Sequence, residues 1–350
     1  MDRKRKTADG FEVRTDLALE ERESFKGDGG EVSGVALREW ERDRSQARFT
    51  EVKIINEQGA RAMGKPVGTY LTLEADQLSQ KDEEYHSRIS RELAGELSRL
   101  MRDMLRREGA EGRRPLSVLA VGLGNSQVTP DSLGPRVLGN LRMTRHLEKR
   151  EADGSSRKED FWPGQEARRG KKPQLSGIVP GVMAQTGMET AEILKGIVRQ
   201  TQPDLVIAID ALAARSVRRL GTTIQLTDTG IQPGSGVGNH RHSLTRESLG
   251  IPVLAIGVPT VVGAAAIVQD TLSALIGVLQ RSAPEKRTGD WIEDMRPEDQ
   301  YQLIRELLEP EFGPLYVTPP DIDQSVKQLS FTISEGIHQA VFGLDEGESL

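Results

Sequence analysis

Cysteine is absent from the 350-residue chain. This absence excludes disulfide bonds, thiolate metal sites, iron–sulfur clusters and a cysteine nucleophile. Any metal site or acid–base chemistry must therefore use carboxylates or histidines. The chain has only five histidines: His86, His146, His240, His242 and His338.

Three widespread catalytic motifs are also missing. The sequence contains no HExxH pair, no GxxxxGK[ST] phosphate-binding loop and no GxSxG nucleophile turn. It therefore does not support a zinc protease of the HExxH type, a P-loop nucleotidase or a serine hydrolase of the α/β-hydrolase type.

The first thirty residues carry charges throughout and lack the apolar core of a signal peptide, so we expect no export. The uncharged residues 249–269 are as long as a membrane span, but Pro252 and Pro259 interrupt them. They are better interpreted as a buried strand over residues 251–257, a turn, and a helix from near Val261. The net charge of −6 argues against general nucleic-acid binding, and we expect neither nucleic acid nor a membrane as a partner.

Apolar runs alternate with glycine-rich turns and helical patterns from residue 116 onward. The runs are rich in valine and isoleucine and show no polar alternation, which is typical of strands covered on both faces. We therefore predict an α/β fold, with a mostly parallel sheet and helices on both of its faces. The predicted strands are LSVLAVG, SGIVPG, DLVIAID, TTIQLTD and IPVLAIGV.

Smaller elements and irregular segments accompany this sheet. Residues 1–48 mix charges with little periodicity, which predicts a solvated leader. Residues 52–55 and 67–73 predict additional strands, and apolar spacings of three and four predict a helix over residues 82–107. The charged segment 148–173, broken by glycine and proline, is predicted to be a surface insertion. Two more helices are predicted in the tail, over residues 296–310 and 321–342.

Two aspartates are the main candidates for chemistry, because ligands of an open parallel sheet gather outside the carboxyl ends of its strands. The turn after the first run reads GLGNSQVTPDSLGP and carries Asp131. The third run leads straight into Asp210, whose carboxylate we expect where the strand leaves the sheet. Two carboxylates that share a site cannot both ionise cheaply. Such a pair supplies a general base for a water molecule and a general acid for a peptide carbonyl.

Each aspartate also has a structural interpretation. Asp131 could cap a following helix, and Asp210 could bind loop amides or pair with Arg215. A weaker candidate site is Asp228 with the glycine-rich loop that carries His240, although a flexible solvated loop is the ordinary interpretation. The residues alone leave these alternatives open.

Four segments together resemble the germination endopeptidases of spore-forming bacteria, from about Phe11 to the C-terminus. They are RTDLALE, VGLGNSQVTPDSLGP, PGVMAQTGMET and DLVIAIDALAAR. The resemblance implies an atypical aspartic peptidase that degrades small acid-soluble spore proteins, with a fold similar to that of hydrogenase-maturation endopeptidases. Asp131 and Asp210 match the two essential aspartates of this family. The resemblance implies no metal and no cofactor.

The resemblance also implies a zymogen that removes its own leader, a homotetramer, and a cytoplasmic location in the developing spore core. RTDLALE is similar to the family's target pattern, which places the cut between Asp16 and Leu17. We therefore expect a propeptide, residues 1–16, and a peptidase domain, residues 17–350. An acidic residue before the cut should bind a cation, and an acidic dyad would link activation to falling pH.

Two functions of other classes compete with this one. A metal-dependent hydrolase of the same fold would use Asp131, Asp210 and His240, and a chelator would abolish its activity. A non-catalytic binding protein would hold a small anion in the glycine-rich turns, and its leader would stay uncleaved.

Overall fold

The structure is a computed structural model that describes residues 17–23, 32–78, 82–109, 115–147, 172–233, 242–282 and 297–343. Strands and helices alternate along most of this part of the chain. The strands are β1 (Val35–Arg42), β2 (Ala47–Ile54), β3 (Gly68–Glu74), β4 (Ser117–Gly122), β5 (Gln174–Ile178), β6 (Leu205–Ala214), β7 (Thr223–Thr227), β8 (Val253–Gly263) and β9 (Tyr316–Val317). The helices are α1 (Ala18–Glu23), α2 (Glu57–Met63), α3 (Glu83–Arg107), α4 (Leu133–Asn140), α5 (Met183–Thr186), α6 (Thr190–Thr201), α7 (Arg246–Leu249), α8 (Ala264–Ser282), α9 (Pro297–Phe312) and α10 (Ile322–Phe342).

All of these strands belong to one mixed sheet. Its order is β1-β2-β3-β7-β8-β6-β4-β5, and β9 pairs with the end of β8. The strands β8, β6, β4 and β5 are parallel to one another. The strands β1, β2, β3 and β7 pair antiparallel, and β7 joins this half to β8. The predicted α/β fold with a parallel core is therefore confirmed.

Helices cover both faces of the sheet, as predicted. Alternate residues of the strands point to opposite faces. One face of the sheet packs under α3, α4 and α10. This face carries Ile224 and Leu226 of β7 together with Ile207 and Ile209 of β6. On the other face, Val206 and Ala208 of β6 pack against α6 and α7. We call this second face the α6 face.

The local sequence of α3 determines where this helix begins and which of its faces is buried. Asp82 caps it, because its side chain accepts hydrogen bonds from the backbone nitrogens of Glu84 and Tyr85. Its residues at spacings of three and four, including Ile89, Leu93 and Leu97, are buried against the sheet and α10. The predictions for residues 52–55, 67–73 and 82–107 correspond to β2, β3 and α3 and are confirmed.

The strand TTIQLTD, which is β7, pairs antiparallel with β8. This corrects the prediction that it is parallel to the other predicted strands of the sheet. Only residues 215–222 separate β6 from β7. A parallel neighbour needs a crossover connection of about a dozen residues or more, so a short connection reverses the chain.

The predicted turn after residue 257 is also wrong, because β8 continues to Gly263 and α8 begins at Ala264. Pro259 is tolerated inside β8 because β7 pairs with this strand only as far as Gly257. Beyond Gly257, β8 has no β7 partner, so the lack of an N–H group in Pro259 costs no hydrogen bond to β7. No helix among the described residues is both long enough and apolar enough to cross a bilayer.

The prediction of a solvated leader over residues 1–48 is wrong where the structure describes this segment. Residues 35–42 form β1, and residues 17–20 are buried. Apolar residues are sparse in this segment, and the contacts that order Leu17 and Ala18 are made with strands distant in the sequence. The predicted propeptide, residues 1–16, lies outside the described residues, as does the predicted insertion apart from residues 172 and 173.

Candidate active site

The glycine-rich turn after β4 folds back along the end of the sheet. Leu123 donates its backbone N–H to the carbonyl oxygen of Ile209 on β6, at 2.8 Å. Gly124 has a φ of +103°, and a Cβ there would lie 2.0 Å from the carbonyl oxygen of Asp131. Only glycine permits both the backbone angle and the close approach. The turn therefore holds the backbone of Asp131 against Gly124.

The helix α4 is seated on the ends of β4 and β6. A Cβ at Gly134 would lie 2.4 Å from the carbonyl oxygen of Leu123 and 2.6 Å from that of Ile209. The backbone of α4 therefore touches the residue immediately before Asp210. Asp131, three residues before Gly134, is brought to the same edge of the sheet as Asp210.

Asp131 lies in a short 3-10 turn, Thr129–Asp131, and is half-buried. Its Oδ2 accepts a hydrogen bond from the backbone nitrogen of Asn125, at 2.8 Å. Ser132, rather than Asp131, occupies the N-cap position of α4. The capping interpretation of Asp131 is therefore wrong, because the carboxylate faces back into the turn that follows β4.

Asp210 lies within β6 and is only 5% exposed. β4 pairs with β6 as far as Gly122 and Ile209, so Asp210 is the first residue of β6 beyond the end of β4. The expectation that β6 leaves the sheet at Asp210 is wrong, because β6 stays paired with β8 to Ala214. Its Oδ1 accepts a hydrogen bond from the backbone nitrogen of Ala211, at 2.9 Å. That bond fits the amide-binding interpretation and also favours the ionised carboxylate.

The segment PGVMAQTGMET contacts the same edge. It follows β5 and contains α5. The side-chain nitrogen of Gln185 donates to Oδ1 of Asn125, at 3.1 Å. Because the backbone of Asn125 binds Asp131, one hydrogen-bonded chain runs from Gln185 to Asp131. Two of the four segments that carry the resemblance therefore meet at this aspartate.

The described part of RTDLALE, residues 17–20, docks beside the segment that contains Asp210. The carboxylate of Glu20 accepts hydrogen bonds from the backbone nitrogens of Arg215 and Ser216, at 2.9 and 3.0 Å. Arg215 ends the segment DLVIAIDALAAR, which forms β6. All four segments therefore lie around one end of the parallel strands. Asp16 lies outside the described residues, and Leu17 is fully buried.

The weaker candidate residues do not join this cluster. β7 is antiparallel, so Asp228 at its carboxyl end points away from the edge that holds the two aspartates. Asp228 accepts from the backbone nitrogen of Thr69 at 2.7 Å and pairs with Arg107 at 2.8 Å. His240 lies outside the described residues, and His242 is exposed. Within the described ranges no three histidine, aspartate or glutamate side chains are grouped as potential metal ligands.

Three polar residues of this region were not identified from the sequence: Asn125, Gln185 and Gln225. Gln225 is 6% exposed in β7, and its Oε1 accepts from the backbone nitrogen of Ala18, at 2.8 Å. The sequence feature that could have identified Gln225 is a long amide side chain inside the buried run TTIQLTD. A glutamine buried in a strand requires a hydrogen-bond partner.

Comparison with known proteins gives a consistent family assignment. The family model described as "Germination protease" matches residues 12–291. A germination protease of Caldanaerobacter subterraneus subsp. tengcongensis is 46% identical over 341 residues, which cover 96% of each chain. The germination protease of Clostridium tetani is 40% identical, covering 94% of this chain and 95% of the relative. That of Bacillus subtilis is 37% identical, covering 94% of this chain and 93% of the relative.

Proposed function

Because the chain belongs to the germination protease family of peptidases, we propose that it is an aspartic-type endopeptidase that starts the degradation of small acid-soluble spore proteins at germination. The observation that carries this proposal is the position of Asp131 and Asp210 at one edge of the sheet. Four segments that are distant in sequence surround this edge, and two of them supply the aspartates.

The proposed chemistry uses the two carboxylates in different protonation states. The ionised aspartate takes a proton from a water molecule as the water oxygen attacks the peptide carbonyl carbon. The protonated aspartate donates its proton to the carbonyl oxygen, and the leaving nitrogen later takes a proton from the dyad as the C–N bond breaks. Asp131 and Asp210 each accept one backbone N–H, from Asn125 and Ala211, and this bond stabilises the charged form, so either carboxylate can serve as the general base.

We further propose that the chain is a zymogen that cleaves itself between Asp16 and Leu17. The burial of Leu17 beside β6 supports this cut, because it fixes the residue that follows the scissile bond on the α6 face with Asp210. The proposed location is the interior of the developing spore.

Self-association into a homotetramer is a separate proposal. Apolar side chains are exposed on α8, α9 and β9: Leu275, Val278, Leu303, Leu307 and Tyr316. Burial of such a patch between copies of this chain would remove apolar area from water. Sedimentation equilibrium measures the assembly directly.

Replacement of each aspartate tests the proposed mechanism. In the full chain, Asp131→Asn and Asp210→Asn should each abolish the loss of residues 1–16, because an amide can neither accept nor donate the required proton. The matched control is Asp204→Asn at the other end of β6. Asp204 accepts from the backbone nitrogen of Ser117, at 2.8 Å, which an asparagine oxygen can also do.

Intact-protein mass spectrometry follows leader loss, and circular dichroism checks folding. Self-cleavage at the wild-type rate in either folded aspartate variant removes that residue from the mechanism. Inhibition of leader loss by a chelator, reversed by added metal, would instead support the metal-dependent hydrolase.

A further inference from the structure

The side chain of Asn125 begins beside the carboxylate of Asp131. The backbone nitrogen of Asn125 lies 2.8 Å from Oδ2 of Asp131. A Cβ at Gly124 would lie 2.9 Å from Oδ1 of the same carboxylate. Both carboxylate oxygens therefore lie against the backbone of Gly124 and Asn125, which is the backbone that carries the Asn125 side chain.

Two donors fix the orientation of the Asn125 side-chain amide. Its Oδ1 accepts the backbone N–H of Gln127, at 3.0 Å, and the side-chain Nε2 of Gln185, at 3.1 Å. A backbone N–H can only donate, so an amide turned by 180° would place two N–H groups against each other. The oxygen is therefore held toward Gln127 and Gln185, and the side-chain nitrogen, Nδ2, faces away from both.

The turn uses only the oxygen of this amide. A bond from a side-chain oxygen to the N–H two residues later is an Asx turn, which aspartate makes as well as asparagine does. Within the described part of the chain, Nδ2 of Asn125 donates to no other residue. Asn125 is half-buried, and Nδ2 is not one of the buried unpaired atoms of that part. This donor is therefore accessible to a bound molecule.

Covalent geometry keeps Nδ2 close to the proposed dyad. Four bonds join it to the backbone nitrogen of Asn125, a path of at most about 5 Å. With the 2.8 Å hydrogen bond added, Nδ2 lies within about 8 Å of Oδ2 of Asp131. Two groups that donate to one oxygen lie up to about 6 Å apart. One substrate oxygen can therefore contact both the dyad and Nδ2.

We propose that Asn125 is a further catalytic residue, whose side-chain NH2 group donates to the carbonyl oxygen of the scissile bond. Gln185 is then a positioning residue, because it holds the amide oxygen and so aims the nitrogen. This inference rests on the proposed function, since it takes Asp131 as a member of the dyad.

The hydrogen bond from Asn125 strengthens during the reaction. As the water oxygen bonds to the carbonyl carbon, the π electrons of the C=O bond move onto the carbonyl oxygen. The protonated aspartate gives this oxygen its proton, while Asn125 keeps both of its own and contributes only a hydrogen bond. A carbonyl oxygen has two lone pairs, so it accepts both donors at once. Removal of one such preorganised donor lowers kcat by about 10²–10³.

Two substitutions of Asn125 in the full chain test the donor. Asn125→Asp and Asn125→Ser each keep a side-chain oxygen that can form the turn, and each removes the NH2 group. We expect either change to slow leader loss about a hundredfold and to leave the midpoint of chemical denaturation near that of the wild type. Asn125→Ser introduces no charge beside Asp131, so a similar loss in both variants identifies the missing donor as the cause.

A peptide of residues 10–24 separates binding from chemistry. Asn125→Ser should lower kcat for this peptide about a hundredfold and change KM by less than about threefold, because the bond is made mainly in the transition state. A hydroxyethylene group in place of the scissile amide mimics the tetrahedral intermediate. This analogue should bind the variant about tenfold more weakly than the wild type. The ethylene analogue, which lacks the hydroxyl group, should bind both proteins equally.

Substitutions of Gln185 test the positioning role. Gln185→Met only removes the bond to Asn125, whereas Gln185→Glu offers an acceptor that attracts Nδ2 and turns it away from the substrate. Leader loss should slow about tenfold in Gln185→Glu and no more than about threefold in Gln185→Met. The charge control is Ala184→Glu, at an exposed position of the same helix, which should process its leader at the wild-type rate.

The outcomes separate this inference from the proposed function. Leader loss at the wild-type rate in either folded Asn125 variant overturns the role of Asn125 and leaves the pair of aspartates in place. Equal rates in the two Gln185 variants show a merely structural bond and overturn the positioning role. A folded wild type that cleaves neither its leader nor the peptide overturns the peptidase proposal itself.

Discussion

Replacing Gly134 by alanine tests whether α4 holds the Asp131 turn against the strand of Asp210. An added Cβ would lie 2.4 and 2.5 Å from the oxygen and nitrogen of Leu123 and 2.6 Å from the oxygen of Ile209. Ordinary contacts require about 3.5 Å, so α4 must move by about 1 Å. All three atoms belong to the backbone, and none can rotate away as a side chain would.

The loss of stability in Gly134→Ala follows from this geometry. Overpacking of this kind lowers the free energy of unfolding by about 1–3 kcal/mol, and the higher helix propensity of alanine offsets up to about 1 kcal/mol of this loss. We therefore expect Gly134→Ala to lower the free energy of unfolding by about 1–2 kcal/mol. A displacement of about 1 Å at a catalytic group can reduce a rate about a hundredfold, so leader loss should fall by a similar factor.

Chemical denaturation and the rate of leader loss measure the two effects. The matched control is Gly139→Ala in the same helix, where an added Cβ meets nothing within 4 Å. This control should be at least as stable as the wild type and process its leader at the same rate. Wild-type stability and rate in Gly134→Ala would refute the idea that α4 is seated on β4 and β6.

Two further predictions concern residues away from the proposed active site. Asp228→Asn should cost about 1 kcal/mol, through loss of its ion pair with Arg107, and leave leader loss unchanged. Abolished leader loss in the folded variant would place Asp228 in the mechanism. His338 accepts the backbone N–H of Arg142 through Nε2, and burial, reinforced by the charge of Arg142 and opposed by Glu335, holds its pKa below the ordinary 6.5. The unfolded chain therefore binds the proton more readily, and this stabilisation is present above pH 6.5 and lost as the pH falls. Between about pH 7.5 and about pH 5 the wild type should lose about 1 kcal/mol more than His338→Gln, which accepts the same bond without titrating. Equal losses in the two proteins would contradict this role.

The sequence was sufficient to predict the elements whose signals are local. Continuous apolar runs predicted β4, β6 and β8, and apolar spacings of three and four predicted α3. The rule that ligands gather beyond the carboxyl ends of parallel strands led to Asp131 and Asp210. The family resemblance identified the same pair.

Features that depend on long-range pairing could not be predicted. The antiparallel direction of TTIQLTD shows in its pairing with β3 and β8, whereas the run itself resembles a parallel strand. The role of Gln225 depends on Ala18, which is 207 residues away in the sequence. The order of residues 17–20 depends likewise on strands that come much later in the chain. Amphipathic periodicity carries no information about such contacts.

The burial of Leu17 has a chemical consequence for the product of self-cleavage. Hydrolysis before Leu17 would replace a neutral peptide N–H by an α-amino group with an ordinary pKa of about 8. A fully buried ammonium ion carries a desolvation penalty of several kcal/mol unless a carboxylate pairs with it. In the proposed mechanism the two aspartates act at this bond and can supply that carboxylate, so the charge of the new terminus would favour an ionised aspartate beside it once the bond is broken.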